Sequence, residues 1–371
     1  MGINQRAEGG GLYAAVVSAA LAAIAVSVYL RFAPAIWLVS LRQYMVAAGV
    51  IACCAIVSFI VGYSWQSHSW SMRRRWYDPV RRLFEVVALG AVYGSTVFLA
   101  TYAFFGAAAS MFGTEMFADY IRGFTVALAA IMGYFAFVQA EMMSAKTLAA
   151  LLPLFVVAGV TTAGLTTDDP VWWRNNFSQL GDRTTFAANT FNATLIMAGV
   201  CVIIIGYFAV AELVASYRQS LIWSKGEIPH FTARMAVLMT LLAWAGVSFA
   251  GVGVFRYTPH PILHNVFARG LTVPMSALMI ALPWLAPRMP RVFYVVSDLI
   301  IVAVGVAGVA WLRGLTTLTN VEALACLLFM AWFIVFSRQI AAIEADRVHE
   351  QLMRGAGDGT KAIESRLSPS K

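Results

Sequence analysis

The chain has 371 residues, 60% of them hydrophobic and only 12% charged, with a formal net charge of +8 and a mean hydropathy of +0.75. A soluble domain carries about a quarter charged residues, and a chain this apolar cannot hide its surface in one water-facing fold, so a soluble globular enzyme is excluded. So are a disordered chain, which needs low hydrophobicity and high charge, and a disulfide scaffold, for which four cysteines are too few. What remains is an all-α polytopic membrane protein.

A spanning helix needs about 20 mainly apolar residues. That ruler predicts ten spans in chain order, at about 12–31, 43–63, 84–107, 117–139, 146–166, 188–216, 232–254, 262–286, 292–312 and 319–338. Only a short connector with Gln139, Glu141 and Lys146 separates the fourth from the fifth. The first span has the look of a secretory leader, since Arg6 precedes it and Ala33-Pro34-Ala35 has the small-x-small form of a cleavage site. Its apolar run of about 19 residues exceeds a leader's 7–15, and it is read as a helix. After the tenth span Ile340, Ile343, Val348 and Leu352 continue one helical face, with Gly355 as a stop and a disordered tail from there to Lys371.

Charge orients the stack. Cytoplasmic connectors carry an excess of Lys and Arg, and with the amino terminus inside that side collects Arg6, Arg73, Arg74, Arg75, Arg81, Arg82, Lys146, Arg218, Lys225, Arg234, Arg288, Arg291 and the basic residues from Arg338 onward. The other side keeps Arg31, Arg42, Arg174, Arg183, Arg256 and Arg313. One missed helix would scramble this alternation, so both termini are expected in the cytoplasm. Basic residues scattered over short connectors do not make the single exposed face that nucleic acid requires. Nearly all are arginine, which points to a GC-rich bacterial gene and hence to a bacterial plasma membrane. Arg73, Arg74, Arg75, Arg81 and Arg82, flanked by Trp65, Trp70 and Trp76, form the densest patch. It would attract anionic lipid at about 1 kcal/mol per basic residue, or do no more than fix orientation.

Within the spans, Cys53, Cys54, Cys201 and Cys326 lack the spaced pairs of a zinc site and read as small buried hydrophobes. Gly90 with Gly94, and Gly305 with Gly308, have the spacing that lets helices approach closely in lipid.

The longest external connector runs over about 167–187, TTDDPVWWRNNFSQLGDRTTF. Asp168 and Asp169 before Pro170 read as a turn, and Trp172 and Trp173 suit the headgroup layer. The run Asn176-Phe177-Ser178-Gln179-Leu180-Gly181-Asp182, with Phe191-Asn192, Leu195-Ile196-Met197-Ala198-Gly199 and later His260-Pro261-Ile262-Leu263-His264-Asn265, resembles a family of six-helix bacterial membrane proteins of unknown function. That family is similar in turn to the DRAM and FGF-receptor-activating-protein group. The resemblance implies a six-helix module at about 143–342 and an added four-helix region at 1–142; the residues after the last span, 343–371, read as a cytoplasmic extension. It also implies a lipid-facing role, without a named reaction.

Ser178, Asp182, His260 and His264 all fall at the external surface. The i,i+4 spacing puts both imidazoles on one face, and with Asp182 or Asp168 they would make a zinc site able to activate water. The plainer alternative is that the histidines hydrogen-bond loop carbonyls; a third is a pH-sensing or headgroup contact. Arg269 and Asp298 are ionisable groups inside spans and therefore functional candidates. Either they form a structural charge pair, Arg269 reaching Glu322, the loop acids or Asp298, or Arg269 marks a headgroup-phosphate or ion site.

No nucleotide-binding, zinc-protease or serine-hydrolase sequence motif is present. Three functions follow. The first is a protein that binds, organises or helps handle envelope lipid without its own catalysis, alone or with other membrane subunits. The second is a secondary transporter of two inverted five-helix halves. The third is a metal-dependent lipid hydrolase or transferase using His260, His264, Ser178 and Asp182.

Overall fold

A computed structural model describes residues 3–32, 40–66, 78–141, 145–174, 176–222 and 227–367. Arg73, Arg74, Arg75 and Ala33-Pro34-Ala35 lie outside them, as do the side chains of Arg81 and Arg82, whose backbone belongs to the start of a helix. Among the described residues the regular structure is entirely helical.

The long helices are α1 (Ile3–Phe32), α2 (Ser40–Gln66), α3 (Asp78–Phe112), α4 (Thr114–Glu141), α5 (Ala145–Thr166), α7 (Phe186–Ile222), α8 (Phe231–Val254), α9 (Pro261–Leu285), α10 (Arg291–Leu312) and α11 (Leu318–Leu367); α6 (Ser178–Gly181) is a single turn in the loop before α7. Among the described residues nine are long and apolar enough to cross a membrane, while Leu151–Thr166 in α5 forms a shorter apolar stretch. The chain is an all-α polytopic protein.

Two of the departures from the sequence expectation concern single elements. The predicted stop at Gly355 is absent, because α11 continues to Leu367. A glycine ends a helix by taking a left-handed backbone, and among the described residues only Gly113 and Gly314 do so. At 1.5 Å per residue the 50-residue α11 is about 75 Å long, more than twice the hydrocarbon thickness of about 30 Å. Second, Cys53 is exposed on α2 and is no buried hydrophobe, unlike Cys54 and Cys201.

The helices pack in two neighbourhoods. In the first, α4 lies against α1 and α2, and α2 against α3. In the second, α7 lies against α8 and α5, α8 against α9, and α11 against α5 and α7. Helix α3 joins them by packing on α5 and α7. A continuous apolar core runs through both, with Phe59, Phe105, Phe155, Trp332 and Phe336 fully buried. The Trp332 indole N–H, which needs a partner inside, donates to Ser297 Oγ at 2.9 Å, tying α11 to α10. Outward, α10 exposes Val292, Leu299, Val302, Val306 and Leu312. An apolar face of that extent is a lipid or protein contact and not a water-facing surface.

Small residues set the closest approach, but not all at the predicted places. A Cβ on Gly94 would lie 2.3 Å from the Ile56 side chain, whereas one on Gly305 or Gly308 would meet nothing within 4 Å. The ninth-span pair therefore makes no helix contact; those two residues face outward from α10. The closest backbone-to-backbone approach lies between α7 and α8, where a Cβ on Gly199 would be 2.3 Å from the Gly246 carbonyl oxygen and one on Gly246 would be 2.6 Å from that of Gly199. This contact brings the ends of α7 and α8 together beneath the long loop.

Candidate functional site

The site is built where the loop between α5 and α7 meets the turn between α8 and α9. The loop is folded by its own short polar residues. The Asp169 carboxylate accepts the Val171 N–H at 3.0 Å, a turn that follows from Asp before Pro170. Asn176 Oδ1 accepts the Gln179 N–H at 3.2 Å as α6 begins, and the Asn192 amide donates to the Gly181 carbonyl at 2.9 Å. Leu180 drops into a small core with Ala163, Phe191 and Leu195. Trp172 turns inward, 5.6 Å from the Phe177 ring, while Trp173 stays 51% exposed with the Arg174 guanidinium 5.3 Å above it.

Two carboxylates hold this loop over the bundle. Asp182 accepts the Thr258 backbone N–H at 2.6 Å and also the Thr258 hydroxyl, which joins the loop to the α8–α9 turn. Glu322, at the start of α11, accepts the Phe177 N–H at 2.8 Å.

Helix α8 ends at Val254, and Phe255 leaves it in an extended conformation (φ −99°, ψ 93°). That turn aims the Phe255 carbonyl at α9, where His264 Nδ1 lies 2.7 Å away. A carbonyl only accepts, so Nδ1 carries the proton. Nε2 of the neutral ring is then an acceptor, and Ser178 Oγ, 2.8 Å from it, donates. His264 is 5% exposed, with the Tyr257 ring edge-on at 5.7 Å. Its tautomer and ring plane are both fixed.

Ser178 also lines a cavity of about 350 Å³ that runs down between α5, α7, α8, α9 and α11. Its walls are Val160, Leu195, Phe249, Leu271, Met275 and Phe333 among other apolar groups, and only Thr161, Ser178, Thr272 and Glu322 bring side-chain oxygens to it. The volume lies within the usual range of ligand pockets. A larger apolar cavity, about 540 Å³, opens beside α1 and α2, with neither histidine nor acid in its lining.

The predicted external residues thus converge only in part. Ser178 and His264 meet. Asp182 does not join them, because Thr258 occupies its carboxylate. His260 does not either: it caps α9 with φ −138°, outside the helical register that would align it with His264, and its ring lies edge-on 5.9 Å from Phe255. The zinc arrangement of His260, His264 and Asp182 does not fit these positions. Both His264 nitrogens are engaged, and among the described residues no three His, Cys, Asp or Glu side chains cluster at metal-binding distance. Of the two histidines that the plainer alternative expects on loop carbonyls, His264 bonds that of Phe255.

The expected charge pair is absent too. Arg269 and Asp298 are exposed, and the ion pairs among the described residues that involve the spans' acids include neither. Rotation explains this. Five residues beyond buried His264, Arg269 is turned about 140° around α9, and Asp298 stands one residue past buried Ser297. The third expected partner, Glu322, holds the Phe177 N–H.

Three contributors escaped the sequence reading: the Phe255 carbonyl, Thr258, and Glu322 as a loop holder. A backbone carbonyl has no sequence signature; Thr258 had one weak signal, its place in a short turn between two predicted spans. Scans against protein-family models, curated proteins and solved structures find no match for this chain.

Proposed function

We propose that this chain is a multi-pass protein of the bacterial plasma membrane that binds envelope lipid, with an acyl chain in the cavity beneath Ser178 and the headgroup at the external loop. The observation that carries the reading is the cavity itself. It is apolar along most of its length, with Ser178 and Glu322 at the loop end and only the hydroxyls of Thr161 and Thr272 deeper in the wall, which suits a molecule with a hydrocarbon tail and a polar head. The resemblance of residues 143–342 to the DRAM-like group points in the same direction.

Ten crossings with both termini in the cytoplasm fit this reading best. Helix α5 has 22 residues, about 33 Å at 1.5 Å per residue, enough to cross a core of about 30 Å, and the alternation of basic residues supports an even count. The basic run at Arg73, Arg74, Arg75, Arg81 and Arg82 then faces the anionic inner leaflet, and exposed Arg269 is left free for a lipid phosphate of the outer one.

The test fills the cavity. Ala268 and Ala325 both line it, and Ala268→Phe with Ala325→Phe removes the room for a chain. Protein purified in mild detergent is extracted and its lipid measured by mass spectrometry. The wild type is expected to retain about one lipid per chain and the double variant, still monodisperse, less than a tenth of that. Equal lipid in both would overturn the proposal.

A further inference from the structure

We propose that Ser178 and His264 are a nucleophile and general base for acyl transfer from an ester lipid, a metal-independent activity that rests on the lipid-binding reading above. Four observations converge on Ser178. Its hydroxyl lies 2.8 Å from His264 Nε2, within the reach a base needs. The other nitrogen of that ring is held by the Phe255 carbonyl at 2.7 Å, which fixes the tautomer that accepts a proton, the role an acid plays in a triad. The ring is almost wholly buried. The same serine lines the apolar cavity, so a chain lying in it brings its ester carbonyl to the hydroxyl.

Ser178 is open to the cavity on one side and bonded to the histidine on the other, so the pair meets both the chain and the base that the reaction needs. The loop is already held by Asp182 on Thr258 and by Glu322 on Phe177.

In the first step Ser178 Oγ bonds to the ester carbonyl carbon while its proton passes to His264 Nε2, giving an imidazolium. The tetrahedral adduct collapses with cleavage of the C–O ester bond, and the leaving alcohol, a lysolipid, takes the proton from Nε2–H. The acyl group is now esterified to Ser178. In the second step water or another lipid's hydroxyl attacks that ester, gives its proton to Nε2, and Ser178 leaves as the alkoxide that recovers it. Nothing is oxidised or reduced, and the acceptor is either water or an alcohol. Ser178 and His264 are catalytic; Phe255 positions the base through its carbonyl.

The experiment labels the purified full-length protein with a fluorophosphonate probe and maps the adduct by peptide mass. In parallel, vesicles of phosphatidylethanolamine with one isotope-labelled acyl chain report an acyl mass on the same peptide. The wild type is expected to carry both adducts on Ser178. Ser178→Ala removes them, and His264→Gln, which keeps a hydrogen-bonding side chain, slows labelling at least about 100-fold, the lower end of what a general base contributes. Wild-type protein that retains lipid yet forms neither adduct at Ser178 overturns the nucleophile and leaves lipid binding standing. Wild-type protein that holds no lipid and forms no adduct overturns both. Because the mapping is done on the wild type, it decides even if a variant fails to fold.

Discussion

Asp182 and Arg183 stand side by side in the sequence and carry opposite charges, yet they differ in what they hold. Arg183 pairs with Asp168 at 2.7 Å, but the two side chains are 52% and 57% exposed, and an exposed pair contributes about 0–1 kcal/mol. Asp182 takes two hydrogen bonds from Thr258, which closes one loop on another. A bond to a charged acceptor is worth about 1.5–3 kcal/mol. Asp182→Ala is therefore expected to lower stability by about 1–2 kcal/mol and to speed proteolysis of the loop around residue 184. Arg183→Ala should shift thermal unfolding in detergent by less than about 0.5 kcal/mol. Equal effects would show that the Thr258 contact is not what holds the loop. At this scale the sequence marked Asp182 as important for a reason the structure replaces: it shapes the site and does not act in it.

Among the elements, α7 and α8 depend on mutual close approach. Gly199→Leu places carbon where the Gly246 carbonyl oxygen stands, and backbone cannot shift as a flexible side chain can. The variant is expected to lose the monodisperse peak in size-exclusion chromatography. Gly308→Ala meets empty space and gains up to about 1 kcal/mol of helix propensity, so its unfolding temperature should hold or rise. At the other end, Arg347 of α11 grips Glu212 of α7 with two hydrogen bonds, at 2.9 and 3.2 Å, both side chains largely covered. Arg347→Lys keeps the charge but not the fork and should recover little of the roughly 1.5–3 kcal/mol lost in Arg347→Ala. Full recovery by lysine would show that charge alone matters. The i,i+3 spacing of Gly305 and Gly308 looked as good as that of the glycines that do pack. Spacing states which residues share a helix face; it does not say whether another helix lies opposite.

For the molecule as a whole, the orientation is open to a direct check. In a background lacking exposed Cys53, Thr184→Cys stands on the long loop and Glu227→Cys between α7 and α8, both exposed. A membrane-impermeant maleimide applied to intact cells is expected to label position 184 only, and position 227 only once the membrane is opened. The reverse pattern would invert the topology. The span ruler found the nine described helices that are long and apolar enough to cross because the constraint is a property of lipid: every backbone group must bond within its own helix across the same thickness, and each run of sequence carries that requirement locally.

The site is a different matter. Composition and periodicity determined by themselves that the chain is a polytopic helical protein, where its long apolar helices fall, and which few polar residues gather in the loop at 167–187 and at the start of α9. Only the tertiary structure decided that Ser178 meets His264, that Asp182 and His260 do not, and that, among the described residues, Arg269 and Asp298 make no ion pair with each other. Those outcomes hang on Phe255, the first residue past α8, whose extended backbone turns one carbonyl toward α9, and on the glycine crossing that sets α7 and α8 in register. Span length is written in consecutive residues; the meeting of side chains 86 positions apart depends on helix rotation and packing, which no local stretch of the chain specifies.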